Sequence, residues 1–408
     1  MIFRPQRMKF GIFLAPFHRV GENPTLALKR DLKLIELLDE LGFDEAWIGE
    51  HHSFARELIA DPFAFAAAAA MRTRRIRLGT GVTSLPYHHP LIVADHAVML
   101  DHLTEGRFML GCGPGALTPD AVMMGIDPLT QRIRMNESLE AVMTLLRTRE
   151  PFSMETDWFT LKDAHLQLAN YTFPHLPVAV AASITPSGPT AAGKHGIGLL
   201  SVAGVDSEAL PRVWGWAEES AAAAGQAVDR NDWRVVVAIH LADTREKAFA
   251  DVREGFSRQA YVGDRKTPGG PAGSPFVSGA SSAEEAAEKG SMIVGTPDDA
   301  IAAIEEIARR AGGIGAILGL AHEWANSEAT NHSYELLARY VAPHFQGQLE
   351  TIIANRDYIE DRQMQVFGAT GAAYLKAFQD AGKEIPKALL EAMAAAAAAR
   401  PQQPAENP

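Results

Sequence analysis

What this chain has little of narrows its chemistry first. Its 408 residues hold a single cysteine, Cys112, which excludes an internal disulfide and any metal site built from several thiolates, and which suits a reducing compartment. Basic residues are outnumbered, with 38 Lys and Arg against 50 Asp and Glu and a net charge of −12. No basic run is interleaved with aromatics, so a phosphate backbone is a poor partner. No apolar run approaches the roughly 18–20 residues of a membrane span. The nearest, residues 63–71, is short and runs into Arg72, Arg74 and Arg75. Residues 1–7 carry no apolar core of signal-peptide length. Together these features predict a cytoplasmic protein. His-Glu-x-x-His, G-x-G-x-x-G and a Walker-type lysine loop are all missing, which argues against a helix-borne metal site, Rossmann dinucleotide binding and a P-loop.

What is present is a globular composition, 47% hydrophobic and 22% charged, on a chain long enough to bury a large core. Short apolar runs alternate with amphipathic stretches. Strand-like runs at 9–15, 44–49, 76–82 and 107–112 are followed by helical spacing at 25–41, 61–71, 91–103 and 129–147. The rhythm breaks at 151–168, which reads as an inserted hairpin. It resumes with strands at 178–182, 198–202, 233–241 and 314–320 and helices at 190–194, 207–224 and 330–341. Eight strand–helix repeats predict a parallel (β/α)8 TIM barrel, an α/β fold, over residues 1–345. Between the seventh and eighth strands, residues 258–292 form a long excursion whose centre is rich in Gly and Pro. It reads either as a lid or as a disordered spacer. Residues 346–408 read as a helical C-terminal extension with an Ala-rich, frayed end, suited to subunit contact in a homo-oligomer.

In such barrels the chemistry gathers where strands end at their carboxyl side. Glu50-His51-His52 stands at that edge after the second strand, and His51 reads either as an active-site base or acid or as a cap on nearby backbone. Adjacent histidines point to opposite sides of an extended chain, so this pair does not chelate one ion, and no metal is expected. Ser84 to Pro90, with Tyr87, His88 and His89, follows the third strand, and Gly111-Cys112-Gly113-Pro114-Gly115 the fourth. Ser183, Ser187 and Gly188 precede a helix, where free N–H groups attract a phosphate; an ordinary N-cap looks the same. Lys194-His195-Gly196 comes next. His322-Glu323-Trp324 follows the eighth strand, and His322 reads as a catalytic partner or as loop packing. Cys112, on a strand, reads as inert core.

Several of these motifs, in order, carry a resemblance. Met8-Lys9-Phe10-Gly11-Ile12-Phe13, Gly42-Phe43-Asp44 with Trp47 and Glu50-His51-His52, Leu85-Pro86 with His89-Pro90, Leu100-Asp101 with Gly106-Arg107-Phe108 and Gly111, and Lys194-His195-Gly196 together resemble the bacterial luciferase-like flavin-dependent monooxygenases. Pro86-Tyr87-His88-His89-Pro90, Gly125-Ile126-Asp127-Pro128 with Gln131-Arg132, Gly295-Thr296-Pro297-Asp298-Asp299-Ala300 and Ala321-His322-Glu323-Trp324-Ala325 resemble the limonene 1,2-monooxygenase-like branch. The resemblance implies a (β/α)8 barrel that takes reduced FMN (FMNH2) from a separate NAD(P)H:flavin reductase. It further implies oxygenation of a small apolar substrate, such as a terpene, alkene or ketone, through a C4a-peroxyflavin. By resemblance His51 is the catalytic histidine, and Ser183, Ser187 and Gly188 lie where the FMN phosphate is held. A non-prolyl cis peptide beneath the flavin is expected at Gly81-Val82, with Gly113 in the neighbouring turn. The family's luciferases carry a cysteine and an arginine in that turn, where this chain has Gly113 and Pro114, so an arginine clamp from there is not expected. A deazaflavin-dependent hydride-transfer enzyme of the same fold and a non-catalytic flavin-binding barrel remain the alternatives.

Overall fold

A computed structural model describes residues 2–15, 18–53, 55, 57–203, 209–266 and 280–398, with the backbone alone for 259–266, 363–368 and 396–398. Eight strands form the barrel: β1 (Lys9–Leu14), β2 (Glu45–Ile48), β3 (Arg77–Thr80), β4 (Phe108–Gly113), β5 (Val178–Ala181), β6 (Gly198–Val202), β7 (Trp233–Leu241) and β8 (Ala316–Leu320). Each runs parallel to the next, and β8 returns to β1 with Ala316 opposite Lys9, which closes the cylinder.

Local chemistry sets the helix limits. Pro24–Leu41 starts on the Asn23 side chain, which accepts from the Thr25 and Leu26 N–H groups, and stops at Gly42 with φ 83°, a left-handed value that glycine adopts without steric cost. Pro297–Ala311 opens with a reciprocal Thr296–Asp299 capping box. The helix expected at 190–194 is longer, Ser187–His195.

Strand alternation builds two apolar regions. Ala46 and Ile48 face the helices, whereas Trp47 packs inside the barrel with Met109, Leu200, Val236 and Leu318. Gly79 makes room for that indole, because a Cβ there would lie 2.7 Å from the Trp47 ring. At the barrel floor, Glu45 accepts two bonds from the Arg234 guanidinium at 2.8 and 2.9 Å and one from Trp47 Nε1 at 2.9 Å. Burial works to raise the Glu45 carboxyl, but Arg234 outweighs it and holds the group at about 2.

Two insertions are resolved further than their sequence suggests. Residues 151–168 contain the expected hairpin, Phe152–Glu155 antiparallel to Thr160–Ala164. The 258–292 excursion is less irregular than expected, since a helix, Arg245–Lys266, enters it, and a second helix, Ala283–Glu288, and a strand, Met292–Gly295, leave it. Its Gly/Pro-rich centre, and with it the question of a lid, lies outside the described residues. The added strand pairs with the second half of β7, Ala238–Leu241, while β8 pairs with the first half, Arg234–Val237. The sheet therefore forks at Val237.

The chain divides into two compact units, Met1–Gly347 and Gln348–Pro408. The second contains the helices Glu350–Asp361, Gln363–Asp380 and Lys387–Ala398. No described helix is long and apolar enough to cross a membrane.

Candidate active site

The carboxyl ends of β2 and β3 meet through one buried carboxylate. Glu50 accepts from Ser84 N–H at 2.6 Å, His88 Nε2 at 2.6 Å and His52 Nε2 at 3.0 Å. Burial alone would raise its pKa; the imidazole and amide donors reverse that and hold it below the usual value. His52 is raised in return, first by its bond to Glu50. A second clasp ties the β3 and β4 turns, as Gln131 Nε2 donates to Tyr87 Oη at 3.0 Å and to the Pro114 carbonyl at 2.9 Å.

His51 turns the other way from His52, as an extended backbone requires. Its Nδ1 lies 3.2 Å from Asp120 Oδ2 and its Nε2 3.1 Å from Glu57 Oε2. Asp120 belongs to the short helix Thr118–Met123 after β4 and also accepts from Ser53 Oγ. Burial pulls the His51 imidazole down, but the two carboxylates overcome it and push the pKa up to about 10. At neutral pH the ring is an imidazolium. Neither Asp120 nor Glu57 was expected from sequence, because Asp120 lies on a short helix 69 residues away and Glu57 in the loop after β2.

The peptide between Gly81 and Val82 is cis, at the position expected. Gly113 sits against it, and a Cβ there would come within 2.4 Å of Val82 Cγ2. Next along the rim, the turn after β5 holds Ser183, Ser187 and Gly188. A Cβ on Gly188 would lie 2.0 Å from the Ala181 carbonyl oxygen. Ser187 Oγ is buried without a hydrogen-bond partner, and the N–H groups of Ser187 and Gly188 open a helix, so no intrahelical acceptor serves them. A partnerless hydroxyl beside first-turn amides, in a cradle that admits no Cβ, fits a flavin phosphate. Lys194 and His195 are at the opposite end of this helix, against Glu140, and do not join the rim cluster. Cys112 is fully buried, and burial pushes its thiol up.

His322 stands across β1 from this group. Its Nε2 donates to the Ile239 carbonyl at 3.0 Å, its Nδ1 lies 3.4 Å from the Trp324 N–H, and its ring stacks on Trp324 at 4.3 Å. Burial, with His240 adding to it, drives its pKa down to about 3, so it is neutral. His322 and Trp324 help line a cleft of about 1240 Å³ at the ends of β1 and β8, together with Leu14, Arg30 and Asp251. His51 and Ser187 are not among the lining residues, so the cleft and the phosphate cradle occupy different arcs of the rim. His240 escaped the sequence reading: it is buried on β7, with Nε2 3.6 Å from Asp251. Among the described residues no cluster of His, Cys, Asp and Glu could hold a metal ion.

A closed (β/α)8 barrel with an ionised histidine and a glycine-walled cradle on its carboxyl rim belongs to a known class. The chain is a member of the luciferase-like monooxygenase family, whose model matches residues 8–314, and it is a flavin-dependent monooxygenase. Limonene 1,2-monooxygenase of Rhodococcus erythropolis is 46% identical over 346 residues, 84% of this chain and 88% of that protein. The 4-hydroxyprotoasukamycin monooxygenase of Streptomyces nodosus subsp. asukaensis is 43% identical over 366 residues, 88% and 97% of the two chains. Among solved structures, the oxygenating constituent of 3,6-diketocamphane monooxygenase from Pseudomonas putida, a type II Baeyer–Villiger monooxygenase in complex with FMN, matches with a TM-score of 0.71. Its identity is 26%, covering 82% of this chain and 98% of that one.

Proposed function

We propose that this chain is the oxygenating half of a two-component system. A separate NAD(P)H:flavin reductase supplies reduced FMN, and one atom of O2 passes to a small apolar substrate such as a terpene, alkene or ketone. The cofactor assignment is carried by the partnerless buried Ser187 Oγ at the head of its helix. The substrate class follows the limonene relative. This reading keeps the enzyme in the cytoplasm, beside its reductase, and as a homo-oligomer.

When bound, the reduced flavin supplies the electrons that activate dioxygen. The chain's own residues do the rest. Ser187 Oγ would donate to a phosphate oxygen, with Ser183 and Gly188 completing the cradle. Gly81, Val82 and Gly113 present a surface without bulky side chains on which a flat ring system can rest. His51 places a positive charge and two N–H groups on the same rim, where negative charge on oxygen is stabilised. His322, neutral and bonded to backbone, shapes the pocket wall and takes up no proton near neutral pH.

The test is His51→Ala, supplied with FMNH2 at a fixed rate. Product per reduced flavin should fall by about 100-fold or more, with hydrogen peroxide rising to match, while FMN affinity changes little. An unchanged product yield overturns the assignment. Binding of a deazaflavin in place of FMN, with hydride transfer and no oxygen uptake, would replace it with the same-fold reductase.

A further inference from the structure

His51 is held between two carboxylates that differ in how firmly they are themselves held. Asp120 is 2% exposed in its side chain and bonds Ser53 Oγ as well as the imidazole. Glu57 lies as close, 3.1 Å from Nε2, yet its Oε2 is buried without an aligned hydrogen bond. The contact is an ion pair in poor hydrogen-bond geometry. Both carboxylates beside His51 are largely desolvated, where charge–charge attraction is stronger than in water.

We propose that Glu57 is a positioning residue which, with Asp120, keeps His51 an imidazolium, and which yields Nε2 when an acceptor oxygen enters the site. His51 then serves the oxygenation as a fixed cation and hydrogen-bond donor rather than as a proton acceptor. This rests on the monooxygenase reading of the same rim. The surrounding charges agree with it. From the end of β2, His52 is turned onto Glu50 at 3.0 Å, whose bond raises its proton affinity. From the segment after β3, His88 is also turned onto Glu50. Tyr87, pushed up to about 12 by burial and by the Asp120 and Glu50 charges, stays neutral. From the β4 side comes Asp120. Two negative charges therefore face one imidazole, and its raised proton affinity follows.

Asp120 is the anchor and Glu57 the exchangeable partner. A histidine acting as a base would need to be neutral near pH 7, and this arrangement excludes that until Glu57 is removed or neutralised.

The test is a titration of the flavin-free protein, labelled with 15N at histidine, followed by NMR from pH 5 to 10. His51→Asn assigns the signal. In the wild type, His51 should keep both ring nitrogens protonated through pH 8. In Glu57→Gln its proton affinity should drop about tenfold or more, one unit of pKa, and Glu57→Asp should restore it. The pH profile of product yield should follow, with Glu57→Gln losing yield on the alkaline side where the wild type does not. A wild-type His51 that titrates near 6.5, or a Glu57→Gln titration identical to wild type, overturns the proposal. If Glu57→Gln does not fold, the wild-type titration and Glu57→Asp still decide. The NMR readout needs neither flavin nor substrate. Its failure beside intact coupled oxygenation removes the role of Glu57 alone, whereas loss of FMN-dependent oxygenation in the wild type removes the enzyme reading.

Discussion

Glu45 opens β2 at the barrel floor, and Glu50 follows the same strand at the mouth. Both carboxylates are buried, at 0% and 3% exposure, and both are kept ionised by donors that outweigh desolvation. Their partners differ. Glu45 meets a guanidinium, charged at every accessible pH, in a fork of two bonds. Glu50 meets two imidazoles and a backbone amide. The floor is a fixed pair that locks the strands in register, and the mouth is a titratable network. One strand supplies the same side chain to both ends, and the neighbour decides whether it is a strut or part of a working site.

Breaking the floor should have the largest effect. Arg234→Met leaves the buried Glu45 with only the Trp47 Nε1 bond and Lys9 Nζ at 3.9 Å, at a cost of about 3 kcal/mol in denaturant unfolding. Adding Glu45→Gln to that variant should recover most of the loss, since no uncompensated charge then remains. At the mouth, Glu50→Gln removes one acceptor from three donors and should cost about 1–3 kcal/mol. It should also alter the acid limb. The Glu50 pKa is lower folded than unfolded, so its contribution is present above the ordinary 4.5 and is lost as pH falls through the folded value. Glu50→Gln should therefore lose stability less steeply below pH 4.5 than the wild type and, because Glu50 is what raises His52, should also lose less as pH rises above the ordinary 6.5 of an imidazole. The smallest change is expected from His322→Gln, in which an amide can replace the bond to Ile239. His322 has its pKa depressed from 6.5 to about 3, so it destabilises the fold progressively as pH falls through that window. The glutamine variant should lose less stability there and keep product yield within about twofold at pH 7, roughly 0.4 kcal/mol. A yield collapse would instead make His322 a participant in the chemistry.

The architecture was legible because strand–helix alternation is a local signal. Eight apolar runs, the hairpin and the buried Cys112 lie where the sequence places them, and the cis peptide lies where the resemblance implies it. The resemblance motifs divide on folding. Asp44, Asp101 and Arg107 staple loops at the amino ends of strands: Asp44 accepts from Phe10 N–H, Asp101 from Thr172, and Arg107 donates to the Ile76 carbonyl. Glu50, His51, His52, Tyr87, His88 and Gln131 reach the candidate site instead. Asp120 and Glu57 were not legible, since a carboxylate becomes a partner only when the fold carries it to the imidazole, across 69 residues in the case of Asp120. Met292–Gly295 was hidden for another reason. A four-residue apolar run beside a Gly/Pro-rich stretch has too short a period to separate strand from loop.

The fork in the sheet gives the mouth a direction of give. Below Val237, β7 and β8 are joined by a backbone ladder; above it, β7 turns to Met292–Gly295 and its other edge would be bare. Two side chains fill the gap. His322 takes the Ile239 carbonyl, and Ser333 Oγ accepts from Leu241 N–H at 2.8 Å. Each such bond contributes about 1 kcal/mol net, less than a continuous ladder holds elsewhere around the rim. The cylinder is thus laced on one side and woven on the others.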